Sequence, residues 1–322
     1  LTRINGDDGL PRKNDISNYG AIRSAAMADA RPYRFLLAID GSSHANRATA
    51  YLARRACRLR PCEVHLAIVQ PLHIGNLLTP AQRDVLWQAA TETEASRHML
   101  DAAGLAYRFH TELGDPARTI VALARSLACD EIVIGSRGMS ALDGLAIGSV
   151  AYKIVHESAT PVTVVPNPRS ASELDLGDDE PVHRILLPVD GSLPAARAVE
   201  YVCALHDGRV PVAVHLVNVQ LPIISGNVRR FVSDEAITQY CRAEGEAALR
   251  PARKALQAAG LSFDDHVLIG HAAQTLVRQA MHWGCTRIVM GTRGLGALAN
   301  VLVGSTALQV MHLSESPVTL VK

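Results

Sequence analysis

Short unbroken apolar runs alternate along this chain with longer stretches in which apolar residues recur at every third or fourth position, and the whole alternation is played out twice. The first copy opens with residues 34–40 (RFLLAID), the second with residues 184–190 (RILLPVD), and Gly-Ser follows each. A helical period comes next, carried by Ala45, Ala48, Tyr51, Leu52, Ala56 and Leu59 in one copy and by Ala195, Ala198, Val199, Val202 and Leu205 in the other. Ser42 and Ser192 stand where helix N-caps belong. Further strands are predicted at 64–69, 107–112, 131–134 and 161–165, and in the second copy at 212–219, 263–269, 287–290 and 317–321. Long helices are expected from near Thr79-Pro80 to before Gly104 and from near Ser233 to before Gly260, the second kinked or ended at Pro251. Others should start at Pro116 and Gln274, and at Gly148 and Gly304.

Strands that are apolar at every position have both faces covered, and strands alternating with helices build parallel sheets. The prediction is therefore α/β: two doubly wound parallel five-stranded sheets in tandem. Repeat-equivalent residues lie 215 − 65 = 150 apart early in the copies (His65, His215) and 285 − 129 = 156 apart later (Cys129, Cys285), which places a six-residue insertion in the second copy. Domains are expected at 33–165 and 183–322, joined by a Pro-, Ser- and acid-rich linker at 166–182. Residues 1–32 have neither period and are expected to be a disordered leader, with Met27 as an alternative start.

A length of 322 residues suits two such domains, each with its own core. The balance of 32 basic against 31 acidic residues gives no field for a polyanion, so nucleic acid is not an expected partner. No apolar run is long enough for a membrane span and no secretory pattern opens the chain, so a cytoplasmic protein without membrane contact is expected. Six cysteines without CxxC spacing read as reduced structural thiols. Among thirteen histidines there is no HExxH, and His65, His215, His156 and His312 read as satisfied structural residues rather than metal ligands.

The chemistry concentrates in a glycine pattern, GxxG(x9)G[S/T], present as Gly135, Gly138, Gly148, Ser149 and again as Gly291, Gly294, Gly304, Ser305. Its first glycine ends the fourth strand, at the carboxyl edge where parallel sheets bind ligands. Glycines let the main chain turn and approach a guest closely. Gly148-Ser149 and Gly304-Ser305 open helices whose free amides and dipole favour phosphate. Arg137 and Arg293 flank the turn as charge partners. Asp40 and Asp190 end the first strand beside it, where a carboxylate either accepts from ribose hydroxyls or holds its own turn. Val69 and Val219 end the second strand, where the main chain either reads an adenine edge or simply joins the core.

This combination resembles the universal stress protein family, in its tandem nucleotide-binding form, across 33–165 and 183–322. The resemblance rests on FLLAIDGS and ILLPVDGS, on GDPARTIVALARSLACDEIVIGSRG, and on both glycine patterns with the helix and PV-type strand that follow. It implies adenine nucleotide alpha hydrolase-like sheets and ATP (or ADP or AMP), with Mg2+ as an option, wrapped by the glycine loops. Asp40 and Asp190 would then meet the ribose, and Val69 and Val219 the adenine. It further implies an internal pseudo-dimer through 161–165 and 317–321, with a homodimer of whole chains as a further option. The second copy departs from the first: Gly114, Asp115, Pro116 and Asp130 are matched by Gly270, His271, Ala272 and Thr286, which puts equal binding by the two sites in doubt. The implied function is an ATP-binding stress-response regulator or adaptor. The alternatives are a dimerisation scaffold that binds no nucleotide and a weak ATP hydrolase; no residue is placed as a general base and no catalytic residue is assigned. His73-Ile74-Gly75-Asn76 and Gly294-Leu295-Gly296 are decoys without repeat counterparts, and neither glycine pattern ends in the GK[S/T] of a Walker loop.

Overall fold

In a computed structural model of the chain, the described residues are 31–58, 61–70, 93–138, 147–167, 183–206, 212–222, 233–294 and 303–322. The expected start of the long first-copy helix at Thr79-Pro80, eight of the nine middle residues of each glycine pattern and most of the expected leader and linker lie outside them.

The first half runs β1 (Tyr33–Ile39), α1 (Ser43–Arg58), β2 (Cys62–Gln70), α2 (Glu94–Ala102), β3 (Tyr107–Leu113), α3 (Pro116–Ser126), β4 (Glu131–Gly135), α4 (Ser149–Glu157) and β5 (Val162–Val165). The second half repeats it as β6 (His183–Pro188), α5 (Leu193–Leu205), β7 (Val212–Gln220), α6 (Asp234–Ala258), β8 (Ser262–Ile269), α7 (Ala272–His282), β9 (Arg287–Gly291), α8 (Ser305–Leu313) and β10 (Val318–Val321). Within each half every strand pairing is parallel, in the order β3-β2-β1-β4-β5 and its counterpart. The two five-stranded arrays are one sheet of ten strands, because β5 and β10 pair antiparallel with Val318 opposite Val164, Thr319 opposite Thr163 and Leu320 opposite Val162.

Side chains alternate across the sheet, so each strand feeds two apolar layers. Phe35, Leu37, Val64 and Leu66, with Ile185, Leu187, Val214 and Leu216, pack beneath α1, α2, α5 and α6 on one face. Leu36, Ile132 and Ile134, with Leu186, Ile288 and Met290, pack beneath α3, α4, α7 and α8 on the other. Both layers continue across the β5–β10 joint.

Ser42, Ser192 and Ser233 cap their helices, each side-chain oxygen accepting from the amide three residues on (3.1, 3.3 and 3.2 Å). Of the two outcomes expected at Pro251, an end is corrected: α6 continues through the proline to Ala258. The proline lies on the exposed side, where the carbonyl that loses its partner can meet water, while Leu249, Ala252 and Leu256 anchor the opposite face. The satisfied reading of the histidines holds for His65, whose Nδ1 is 3.0 Å from His110 Nε2. It fails for His215: it stacks on Trp283 with ring centroids 4.8 Å apart, and its Nδ1 has no hydrogen-bond partner. All six cysteines are free thiols, and burial pushes those of Cys129 and Cys285 up to about 12.

Candidate functional site

The chain leaves β1 for β2 on one side and returns from β3 to β4 on the other, so the carboxyl ends of β1 and β4 frame a topological switch point; β6 and β9 repeat it. Asp40 follows β1 directly, and Asp190 follows β6 after one residue, Val189. Gly41 and Gly191 next to them adopt φ of +81° and +86°, the left-handed region in which glycine meets no Cβ penalty. The turn is held by the aspartate itself, as Ser42 N donates to Asp40 Oδ1 (3.1 Å) and Ser192 N to Asp190 Oδ1 (3.0 Å).

The other carboxylate oxygen has a second neighbour. A Cβ on Gly138 would collide with Asp40 Oδ2, and a Cβ on Gly294 with Asp190 Oδ2. In each half the aspartate therefore lies directly against the main chain of the glycine turn, where a Cβ would fit only if the carboxylate moved aside. Gly135 and Gly291 serve a different purpose, for a Cβ there would strike the main chain of His44 (2.7 Å) or of Pro194 (2.6 Å) at the start of α1 or α5. These two glycines let the first helix of each half sit down on the end of the fourth strand.

Gly148 and Gly304 close the pattern by returning the chain to its own beginning. Gly148 N donates to Ser136 O and Gly304 N to Thr292 O, both at 2.7 Å. Each glycine is the N-cap of the following helix in extended conformation and offers no side-chain acceptor to the first turn. The contrast with α1, α3, α5 and α6 is direct, since Ser42, Asp115, Ser192 and Ser233 accept from an amide of their own helix. Ser149 and Ser305, the first helical residues, are exposed beside those amides. An uncapped helix N-terminus at the carboxyl edge, with a carboxylate against a glycine turn, is suited to a guest carrying both anionic and hydroxyl groups.

Val69 and Val219 are half-buried and touch the second apolar layer. Both lie beyond the last residue of their strand paired with the central strand, Ile68 and Val217, so the main chain at these positions borders the crevice. Arg137 and Arg293 are half-buried; the Arg293 carbonyl accepts from Ser192 Oγ (3.2 Å), and its Nε has no hydrogen-bond partner.

The residues expected to distinguish the two sites divide in two. Asp115 caps α3, accepting from Arg118 N at 3.0 Å, whereas His271 gives α7 no side-chain cap. Asp130 precedes β4, at the border of the sheet away from the glycine turn, and accepts there from Arg34 N (2.9 Å). Thr286 holds the same border by donating to Arg184 O (3.0 Å). That pair cannot tune the crevice.

His44 was not foreseen. It occupies the repeat position of Pro194 (194 − 44 = 150) and its Nε2 is buried without a hydrogen-bond partner. Burial, with Arg137 and Arg47 adding to it against Asp40, lowers its pKa. The sequence signal was the mismatch itself, a histidine facing a proline in an otherwise matched helix start.

The chain is similar to the Universal stress protein family model over residues 33–166 and again over 181–322. A universal stress protein of Mycolicibacterium smegmatis is 24% identical over 314 residues, 92% of this chain and 99% of that protein. Another, from Methanocaldococcus jannaschii, is 31% identical over 142 residues, 43% of this chain and 81% of that protein. The crystal structure of a universal stress protein from Archaeoglobus fulgidus shares the fold, with a TM-score of 0.63 at 23% identity over 90% of this chain and 96% of that one.

Proposed function

Because the chain belongs to the universal stress protein family, we propose that it is a nucleotide-dependent stress-response regulator or adaptor with an adenine-nucleotide crevice in each half. ATP is the first choice of ligand, ADP and AMP the alternatives. The reading rests above all on one duplicated arrangement: an aspartate against a glycine turn, beside a helix start that has no side-chain cap.

In this reading the free first-turn amides of the helices that Gly148 and Gly304 open, beginning at Ser149 and Ser305, take phosphate oxygens, with Gly135 and Gly138 or Gly291 and Gly294 giving the turn its shape and Arg137 or Arg293 adding charge. Asp40 and Asp190 accept from ribose hydroxyls through Oδ2, and the main chain at Val69 and Val219 reads the adenine edge. Mg2+ is the optional companion of the phosphates, to which it binds through their oxygens. Six free thiols fit a reducing, cytoplasmic setting. No helix among the described residues is long and apolar enough to cross a membrane.

Titration calorimetry with ATP, ADP and AMP, with mass spectrometry of small molecules released from the purified protein, tests the proposal. Saturable binding of up to two nucleotides per chain is expected; no heat with any of the three would overturn it. A scaffold without nucleotide is the second reading, favoured by the unbroken sheet through β5 and β10. It requires partner contacts to survive unchanged in Gly138→Val and Gly294→Val chains.

A further inference from the structure

At the centre of the β5–β10 joint each residue meets its own repeat equivalent. Thr163 and Thr319 (319 − 163 = 156) face each other with their Oγ1 atoms 2.7 Å apart, which puts a pseudo-two-fold axis between them. Around that axis the repeat is broken in sign. Glu131 of the first half is 0% exposed, and its equivalent in the second half (287 − 131 = 156) is Arg287, 3% exposed.

Glu131 gathers donors from both halves. It accepts from Arg55 Nη1, from Tyr33 Oη (2.9 Å), from Thr163 Oγ1 (2.5 Å) and, across the joint, from Tyr201 Oη (2.6 Å). Arg287 lies on the second-half side with its guanidinium carbon 5.9 Å from the centre of the Tyr201 ring, and its Nε and Nη1 have no hydrogen-bond partner. The second half has no carboxylate of its own for this place: the equivalents of Glu131, Arg55 and Tyr33 are Arg287, Leu205 and His183.

We infer that the Glu131–Arg287 inequality is a pairing code: the β10 edge accepts a half that carries Glu131 and rejects a second copy of itself. Two second halves joined through β10 would bury two Arg287 guanidiniums beside the paired threonines with no acid between them, the costly case of an uncompensated buried charge. Two first halves joined through β5 would hold two Glu131 and two Arg55, a balanced set. Selection therefore comes from Arg287. Because every homotypic exchange between chains that frees a first half also frees a second half with nowhere to go, each β10 edge is returned to a first half, in this structure that of its own chain.

Charge reversal in the full-length protein reads this code. Glu131→Arg leaves three buried guanidiniums and no acid at the joint; Arg287→Glu leaves two acids and one guanidinium. Each should unfold at lower denaturant than wild type, and each mismatch should be cured in trans by the other chain. Co-refolding the two variants in equal amounts should give a reciprocally exchanged one-to-one heterodimer, read by native mass spectrometry with one chain tagged. Its unfolding midpoint should return most of the way to wild type, while either variant refolded alone gives no such species. Rescue remains readable even where one variant aggregates by itself. A mixture that behaves as the sum of its separately refolded parts would overturn the inference. So would simple addition of the two losses in the chain carrying both changes.

Discussion

The two halves agree where a guest would sit and disagree where they touch each other. At the crevice the same contacts recur with nearly the same distances: aspartate against glycine, strand end against helix start, and a 2.7 Å amide-to-carbonyl closure. At the joint, equivalent positions carry opposite charges, buried alike. A main-chain cradle tolerates little change because its fit is steric, so both copies keep it. A two-fold joint between identical faces would set like against like, and a tandem chain escapes that by letting one face become acidic and the other basic.

The largest effect that would sharpen this contrast belongs to the joint. Glu131 is pushed up by burial, yet the Arg55 guanidinium beside it, with Arg287 and Thr163, outweighs this and holds its carboxyl at about 2. Glu131→Gln strands two buried guanidiniums and should cost about 3–5 kcal/mol in urea unfolding. Arg287→Met, which removes an ion whose Nε and Nη1 are unpartnered, should be neutral or stabilising. Equal losses from the two changes would erase the distinction between the halves.

Next come the crevices. Gly138→Val and Gly294→Val each drive a side chain into the neighbouring aspartate, and each should weaken nucleotide binding in its own half by roughly a hundredfold, about 2.7 kcal/mol, leaving the other half untouched. Calorimetry on the two single variants separates the sites; loss of both from one substitution would break the picture of independent cradles. A smaller difference is set by the caps. Asp115→Ala should lower stability by about 1 kcal/mol, and His271→Ala, at an uncapped helix, by much less.

The smallest effect is titration. His44, His65, His215 and His266 all have pKa values lowered, with burial the first cause in each. A histidine whose folded pKa lies below its unfolded value of about 6.5 costs nothing above that pH and erodes stability as pH falls below it. The melting temperature should hold from pH 8 to 7 and decline by pH 5.5. His44→Pro, which copies the second half, should flatten part of that decline, and an unchanged slope would remove His44 from the account.

Much of the fold was legible because its signals are local. Runs such as 34–40 and 184–190 declare buried strands by composition alone, and the repeat supplied each boundary twice. The strands that join the halves were named by resemblance, and β5 and β10 do pair. At the crevice the sequence alone allows Asp40 two duties, and the geometry gives it the turn through Oδ1 while setting Oδ2 against Gly138. Glu131 and Arg287 gave no warning, since a charged residue at the start of a strand ordinarily faces water. Their burial follows only from which strand edges meet, a fact absent from any single window of sequence. Pro251 does not end α6 for a related reason: the local rule against proline yields where one side of a helix is already anchored.

Because β5 and β10 run in opposite directions, every strand of the second half points against every strand of the first. The two crevices therefore open on opposite borders of one sheet. Among the described residues, the shared slab of strands links one rim to the other, with the threonine pair midway between them.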